Sequence, residues 1–340
     1  MGLRGHLFRY LVRLAGSLTP ARLINLLKLW VSMSFTRITD RYWHAGYPSA
    51  ISVEPTNRCQ LRCPGCPSGR HDLQRPGGIL EPDVYRSLVD QAHKHLILMN
   101  LFFQGEPLLH PDLPDMINYA ARRGIYTVVS TNGGMLDAGM AKRLTGSRLS
   151  HLIISIDGMT EEVYQAYRVG GSLEAVMRGL KHMVSEGGGV WRRPLIELQF
   201  VVTRRNEHQA DDFLRWARSS GADLWRLKSA QIDFGDDMAA WVPSNLKWSR
   251  YEVEATGEYR IKSRLANHCR RVWGTPVLTW DGRLLPCCFD KQARHTFGNF
   301  QEEGLRGAWK NKKAGLFRRL VFRNRKSIGM CTNCTEGLRV

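Results

Sequence analysis

From about residue 50 onward, short apolar runs alternate with stretches whose apolar residues return at spacings of three and four. "AISVEPT" reads as a short strand with Ile51 and Val53 on one face. The pattern then predicts a helix near 82–95 before "LILMNLFFQGEP" and one near 112–123 before "IYTVVSTNGG". Helices near 137–146, 160–186 and 207–219 precede "LSHLIISIDG", "PLIELQFVVTRRN" and "LWRLKSAQ". Six β/α units result. Apolar strands alternating with helices form a parallel sheet covered on both faces, which is an α/β architecture.

The first fifty residues carry a different pattern. Leu7, Phe8, Leu11, Leu14 and Leu18, then Leu23, Leu26, Leu27, Trp30 and Val31, recur at helical spacing, and Thr19-Pro20 is a helix start. Arg4, Arg9, Arg13, Arg22, Lys28, Arg37 and Arg41 stand there against a single acid, Asp40. The two basic amphipathic helices are too short and too often charged to span a bilayer, which takes about 20 apolar residues. They either pack on the outside of the main domain or lie on an anionic membrane surface through residues 1–45.

In barrel-like α/β folds, residues just beyond the C-terminal ends of the strands converge on one mouth. That rule selects Cys59, Cys63 and Cys66 after the first strand, Gln104-Gly105-Glu106-Pro107 after the second, and Ser130-Thr131-Asn132-Gly133 after the third. It also selects Ser155 and Asp157 after the fourth, and Thr203 and Asn206 after the fifth, where Gln199 is a polar residue inside an apolar run. Singly, Asn-Gly and Asp-Gly are turn dipeptides. Together, on the edge that carries three cysteines, they outline a site.

Charge and cysteine usage narrow its chemistry. The 340 residues have a formal net charge of +18, but no dense Lys/Arg block with interleaved aromatics marks a nucleic-acid arm, so no specific nucleic acid is predicted. The eight cysteines fall into groups at 59/63/66 and 287/288/331/334, with Cys269 between. Clustering of this kind in a long chain suggests metal rather than a disulfide framework. The basic N-terminus has no secretory cleavage pattern, and a reducing, cytoplasmic setting is expected. A structural zinc site wants four closed ligands, and His71 is the only nearby fourth candidate beside the first group. A four-iron cluster is normally fixed by four thiolates, so three leave one iron open to an outside ligand.

Cys59-x3-Cys63-x2-Cys66 at the end of a first strand, with the strand-end motifs above, resembles the radical S-adenosylmethionine (SAM) superfamily across roughly residues 50–235. The resemblance implies a partial (β/α)6 TIM-like barrel. It also implies a 4Fe-4S cluster whose open iron binds the amino and carboxylate groups of SAM, and an electron donor such as flavodoxin or ferredoxin. One electron then cleaves the sulfonium to methionine and a 5'-deoxyadenosyl radical. By the same resemblance, Gly105 and Glu106 match the motif that holds the methionine amino group, and Thr131 and Asn132 fall where the third strand approaches SAM. Ser155 and Asp157 match positions near the ribose and carboxylate, Arg168 resembles an arginine that pairs with the SAM carboxylate, and Gln199 joins the cofactor-binding set. The family usually has an aromatic before the third cysteine to pack on adenine, whereas this chain has Pro64-Gly65. Adenine is then expected to rest on backbone or on another side chain.

The C-terminal part resembles the SPASM or twitch extensions of the same superfamily. "TPVLTWDGRLLPC" predicts a strand at 275–280, a turn at Asp281-Gly282 and a strand at 283–287, followed by a basic helix and Cys331-x2-Cys334. Cys269, Cys287, Cys331 and Cys334 are the implied ligands of one auxiliary 4Fe-4S cluster, since no further cysteine follows. If the strand runs through 287–288, its residues point to opposite faces, which leaves Cys288 out. A zinc ribbon on the same four thiols is the competing reading.

The expected division is a basic helical segment 1–48, a barrel 49–235, a linker 236–268 and an auxiliary-cluster domain 269–340. The expected function is reductive cleavage of SAM and hydrogen abstraction from an unidentified peptide, protein side chain or small molecule. The alternative is a zinc- or cluster-binding interaction protein. No winged-helix-like segment for a leader peptide is recognisable before the barrel.

Overall fold

A computed structural model describes residues 3–186, 189, 191–233 and 237–335; the barrel–linker boundary drawn at 235/236 and residues 336–340 lie outside them. Two helices, α1 (Leu3–Ala15) and α2 (Pro20–Thr39), lead into β1 (Ala50–Val53). Next come α3 (Pro67–Arg70), α4 (Pro82–Ala92), β2 (Leu98–Asn100), α5 (Leu113–Ala121), β3 (Tyr126–Thr131), α6 (Ala138–Gly146) and β4 (His151–Ser155). The α/β part is completed by α7 (Glu161–Tyr167), α8 (Leu173–Ser185), β5 (Leu195–Val202), α9 (Ala210–Ser219) and β6 (Leu224–Ser229). Strands β1 to β6 pair in parallel, each with the next in sequence. Ile51, Met99, Val129, Leu152, Ile154, Ile196 and Leu198 are buried in one apolar core with residues of the covering helices.

The helix expected over 160–186 is two helices. Gly170 adopts φ +85°, a left-handed conformation that glycine takes readily, and Ser172 caps the new start by accepting from the Ala175 amide. Arg168 therefore sits at the C-terminal end of α7 instead of inside a long helix.

Beyond β6, α10 (Met238–Trp241) and the antiparallel pair β7 (Tyr251–Val253) and β8 (Tyr259–Ile261) occupy the predicted linker. They bury Met238, Val242, Tyr251 and Ile261 with Ala230 and Ile232. After α11 (Arg270–Gly274) come β9 (Val277–Leu278), β10 (Arg283–Leu285) and β11 (Gly298–Asn299). Then α12 (Phe300–Lys310), α13 (Lys312–Asn324) and α14 (Gly329–Thr332) follow. The predicted hairpin is present but shorter, and β9 pairs in parallel with β1, so one nine-stranded sheet runs β11-β10-β9-β1-β2-β3-β4-β5-β6. Because β10 ends at Leu285, Cys287 and Cys288 lie past the strand and the alternation argument does not apply to them.

The N-terminal helices form where expected, with Thr19 accepting from the Arg22 amide, and in α2 it is mainly the polar side that packs inward. Arg22, Asn25, Ser32 and Thr36 are buried, whereas Leu23, Leu27, Trp30 and Val31 are exposed. The cause lies in what they cover. Arg22 donates to the carbonyls of His93, Arg123 and Gly124; Arg13 donates to Ser150 and Arg193, and Arg9 to Arg193. Those carbonyls belong to the turns before β2, β3, β4 and β5, at the end of the sheet opposite the cysteines. Backbone carbonyls covered by a helix need donors, and a leucine face offers none. Asp223, fully buried before β6, pairs with Arg9 at 2.9 Å, Arg193 at 2.7 Å and His6 at 3.1 Å.

This packing is testable on the apoprotein. Arg22→Ala strands the carbonyls of His93, Arg123 and Gly124 and that of Ser17, and should lower stability by on the order of 2–3 kcal/mol, read from the urea midpoint at unchanged slope. Leu27→Ser on the outer face should shift stability by less than about 0.5 kcal/mol. The opposite ranking would mean that the apolar face is the packed one.

Candidate functional site

The loop after β1 is pinned before it reaches the cysteines. Thr56 Oγ1 donates to the Gly78 carbonyl at 2.6 Å, and Asn57 exchanges bonds with Pro76 and Gly78 at 2.8 and 2.9 Å. The Cys66 amide then donates to the Cys63 carbonyl at 3.1 Å, and Cys66 starts the turn α3. A Cβ on Gly69 would stand 2.5 Å from the Cys63 nitrogen, so only glycine lets this turn fold back onto Cys63. Cys59, Cys63 and Cys66 lie near enough that each charged thiolate would repel the others, and burial pushes the Cys59 thiol up to about 11. Filling such a site with a cluster therefore releases protons.

Gly105 lies directly on this loop. It has φ +79°, and a Cβ there would be 2.4 Å from the Thr56 carbonyl oxygen. The neighbouring Glu106 carboxylate is buried and accepts from Thr131 Oγ1 at 2.7 Å and from the Asn132 and Leu108 amides at 2.8 and 3.0 Å. Burial still raises its pKa. The Asn132 side chain turns the other way, donating to the Cys59 sulfur at 3.8 Å and accepting from Gln60 at 3.0 Å. Thr131 thus serves Glu106, and Asn132 serves the cysteine loop.

A second group surrounds Cys63. Asp157, fully buried, accepts from Arg168 Nε at 2.6 Å and from the Val201 amide at 2.6 Å. Burial works against the Arg168 charge, but Asp157 and then Cys63 more than compensate, and the guanidinium is held protonated beside the Cys63 thiol. Ser155 and Gln199 are register partners across β4 and β5. Gln199 donates to Glu197 at 2.7 Å and accepts from Lys228 at 3.1 Å, and its contacts run to strand residues rather than to the cysteine loop.

Several residues at this mouth gave no signal in the sequence. Tyr167 lies against Gly65: its hydroxyl would be 3.1 Å from a Cβ there, and its ring meets Trp241 edge-on at 5.7 Å. Both rings line a cavity of about 180 Å³ with Pro64, Gly65, Thr203 and Ile232. Glu54 at the end of β1 is held by Arg75 at 2.6 Å and accepts from the Trp280 amide at 3.2 Å, which ties the cysteine loop to the C-terminal hairpin. These partners are too far apart in sequence for a pattern to reveal. Tyr167 alone could have been noticed, as the neighbour of Arg168.

The C-terminal cysteines come together. Cys269 begins α11 and shares an apolar cluster with Val272, Val321, Ile328 and Cys331. The Cys334 amide donates to the Cys331 carbonyl at 3.1 Å, and Arg325 donates to the Cys334 sulfur at 3.2 Å. Burial opposes the Arg325 charge, but Cys269, Cys334 and Cys331 together raise its pKa. Burial raises the Cys287 pKa, with further contributions from Cys288, Cys269 and Cys334. Cys288 instead packs against Val277, Leu285 and Ala293 and accepts from Arg271 at 3.5 Å. Cys269, Cys287, Cys331 and Cys334 are the thiols that could hold a cluster here, and Arg325 already places a charged donor on one of their sulfurs.

Family models match at both sites: "Radical SAM superfamily" over residues 53–217 and "Iron-sulfur cluster-binding domain" (SPASM) over 269–335. Among relatives, the PqqA peptide cyclase of Granulibacter bethesdensis is 32% identical over 54% of this chain and 48% of its own, so the match spans about half of that relative. The mycofactocin maturase MftC of Mycobacterium tuberculosis is 26% identical over 84% of this chain and 75% of its own. The crystal structure of Streptococcus suis SuiB bound to precursor peptide SuiA has the same fold, with a TM-score of 0.63 at 14% identity over 86% of this chain and 72% of that one. The protein belongs to the radical SAM superfamily, in its SPASM-bearing group. It is a radical enzyme whose cofactors are a 4Fe-4S cluster, SAM and an auxiliary iron–sulfur cluster, and the interaction-protein reading falls.

Anaerobic iron counting on a Cys59/Cys63/Cys66 triple alanine variant should give about four irons, from the auxiliary site alone. On that background Cys288→Ala should leave the count unchanged and Cys287→Ala should lose much of it. The reverse result would move the ligand by one residue.

Proposed function

We propose that this enzyme cleaves SAM reductively at the mouth of the α/β sheet and removes a hydrogen atom from a peptide or small-molecule substrate presented there. The observation that carries the reading is the three-thiol loop built against Gly105, Glu106 and a permanently charged Arg168. A 4Fe-4S cluster held by these thiolates would supply the electron that cleaves SAM to methionine and a 5'-deoxyadenosyl radical, which would take the substrate hydrogen.

The chain's own residues hold the partners in place. Cys59, Cys63 and Cys66 would hold the cluster. Thr131 and the Asn132 amide fix Glu106, so that the Gly105-Glu106 segment receives the methionine amino group. Asp157 aims Arg168, whose planar fork receives the methionine carboxylate. Ser155 faces the ribose, with Gln199 beside it in register. The adenine has no aromatic at Gly65 to pack on; Tyr167 and Trp241 supply one from other elements, along the wall of the 180 Å³ cavity.

The names of the relatives, PqqA peptide cyclase and mycofactocin maturase, and the peptide bound to SuiB support a peptide among the substrate classes. The same reading includes an electron donor of the flavodoxin or ferredoxin kind and a peripheral contact of residues 1–45 with an anionic membrane.

With SAM and a strong reductant, the triple alanine variant should form no 5'-deoxyadenosine while keeping its auxiliary iron; retained turnover would sink the mechanism. Tyr167→Ala should weaken SAM binding by about threefold to tenfold at unchanged iron content, measured by equilibrium dialysis. An unaltered affinity would remove Tyr167 from the adenine wall.

A further inference from the structure

No helix among the described residues is long and apolar enough to cross a membrane. Yet fourteen of the twenty large hydrophobic side chains exposed among those residues fall between Leu7 and Trp43. Phe8 is 60% exposed, Trp30 63% and Ile38 81%. Single exposed leucines need no explanation, but a contiguous apolar face on two adjacent helices marks a contact surface. The opposite sides of α1 and α2 are committed inward: Arg9, Arg13 and Arg22 donate to barrel carbonyls, Ser32 accepts from Trp273 of α11, and Asn25 and Thr36 donate to the Tyr47 and Trp43 carbonyls of the segment leading to β1.

The surface extends beyond residue 45. Helix α13 approaches the end of α2 through Tyr42, which lies under the Arg319 guanidinium at 5.0 Å and beside Gly315. On its outer side α13 exposes Leu316 and Leu320 together with Lys312, Lys313, Arg319 and Arg323. Trp191, 54% exposed, adjoins α1, whose Arg13 donates to its carbonyl at 2.9 Å. Residues 1–45 contain one acid, and α13 contains none. Tryptophans among leucines, edged by the exposed Lys28, Arg37 and Arg41 and by the α13 cations against the single acid Asp40, match the interfacial depth of an anionic bilayer rather than the surface of a mixed-charge protein.

We propose that α1, α2 and α13 together form a docking face for an anionic lipid bilayer, which holds the cysteine mouth away from the lipid. This deepens the peripheral contact proposed for residues 1–45 and rests on it. The orientation follows from the sheet. The N-terminal helices cover the turns entering β2 to β5, whereas Cys59, Glu106 and Asp157 lie past the opposite ends of parallel strands. A bilayer under the helices leaves the mouth open to water, so the substrate reaches it from the aqueous side.

The test uses full-length holoenzyme with mixed phosphatidylglycerol–phosphatidylcholine vesicles, and pure phosphatidylcholine vesicles as the comparison. Cosedimentation with the anionic vesicles, a blue shift of tryptophan emission and release by salt are expected. Leu27→Ser/Trp30→Ser should weaken binding by about tenfold or more, and Arg319→Glu/Arg323→Glu by about fivefold for each charge removed. Vesicle-bound enzyme should bind SAM as the free enzyme does. Should deletion of residues 1–45 abolish binding while the α13 variant binds normally, the extended face is overturned and the contact of residues 1–45 survives. Absence of vesicle binding, or dimerisation that Leu27→Ser/Trp30→Ser abolishes, overturns both. Altered SAM binding on vesicles overturns the orientation. The cysteine triple variant should bind vesicles like its parent, which separates this surface from the radical chemistry.

Discussion

A buried carboxylate must be paired, and the Asp157–Arg168 ion pair shows how much of the mouth follows from that requirement. Asp157 is fully buried at the end of β4, where an unpaired charge would cost several kcal/mol, on the order of 3–5 when a partner is removed. Arg168 can reach it because the chain breaks at Gly170 and ends α7 there. The same guanidinium then faces Cys63, while the second Asp157 oxygen takes the Val201 amide of β5. One ion pair thus sets the end of β4, the end of α7, the adjoining strand and a cysteine in fixed relation. Arg168 is also held ready as a permanent cation, which a carboxylate-binding position requires.

Much of this was legible in the sequence because parallel α/β sheets place their chemistry by rule. Reading polar residues past the C-terminal ends of apolar runs found Cys59, Glu106, Asn132 and Asp157, and the structure places them on one edge of one sheet. What those residues do for each other was not legible. Thr131 and Asn132 were read as neighbours of SAM, yet their contacts support Glu106 and Cys59, a division that only the bonding geometry reveals. The approach of Tyr167 to Gly65 is likewise a contact between separate elements.

The N-terminal helices show why an amphipathic pattern fixes a helix without fixing its inner face. The pattern assumes that the partner surface is apolar. At the entry end of a parallel sheet the partner surface is a set of turn carbonyls, and the arginine side satisfies them better than the leucine side does. Helix existence and the Thr19 cap were readable; the orientation depended on the turns before β2 to β5, which no local window contains.

The sheet also explains how two cysteine sites far apart in the chain stay in register. Strand β9 adds to the free side of β1, with Ser52 opposite Val277 and Val53 opposite Leu278, so the hairpin leading to Cys287 is part of the sheet that ends at Cys59. Glu54 completes the link, accepting from Arg75 behind the cysteine loop and from the Trp280 amide in the hairpin. Strand pairing and a buried carboxylate are both intolerant of sliding, because a slip of one residue would reverse the faces of β9 and take the Trp280 amide away from Glu54. The relative placement of the radical-generating and auxiliary sites is therefore set by the sheet itself rather than by a hinge between two bodies.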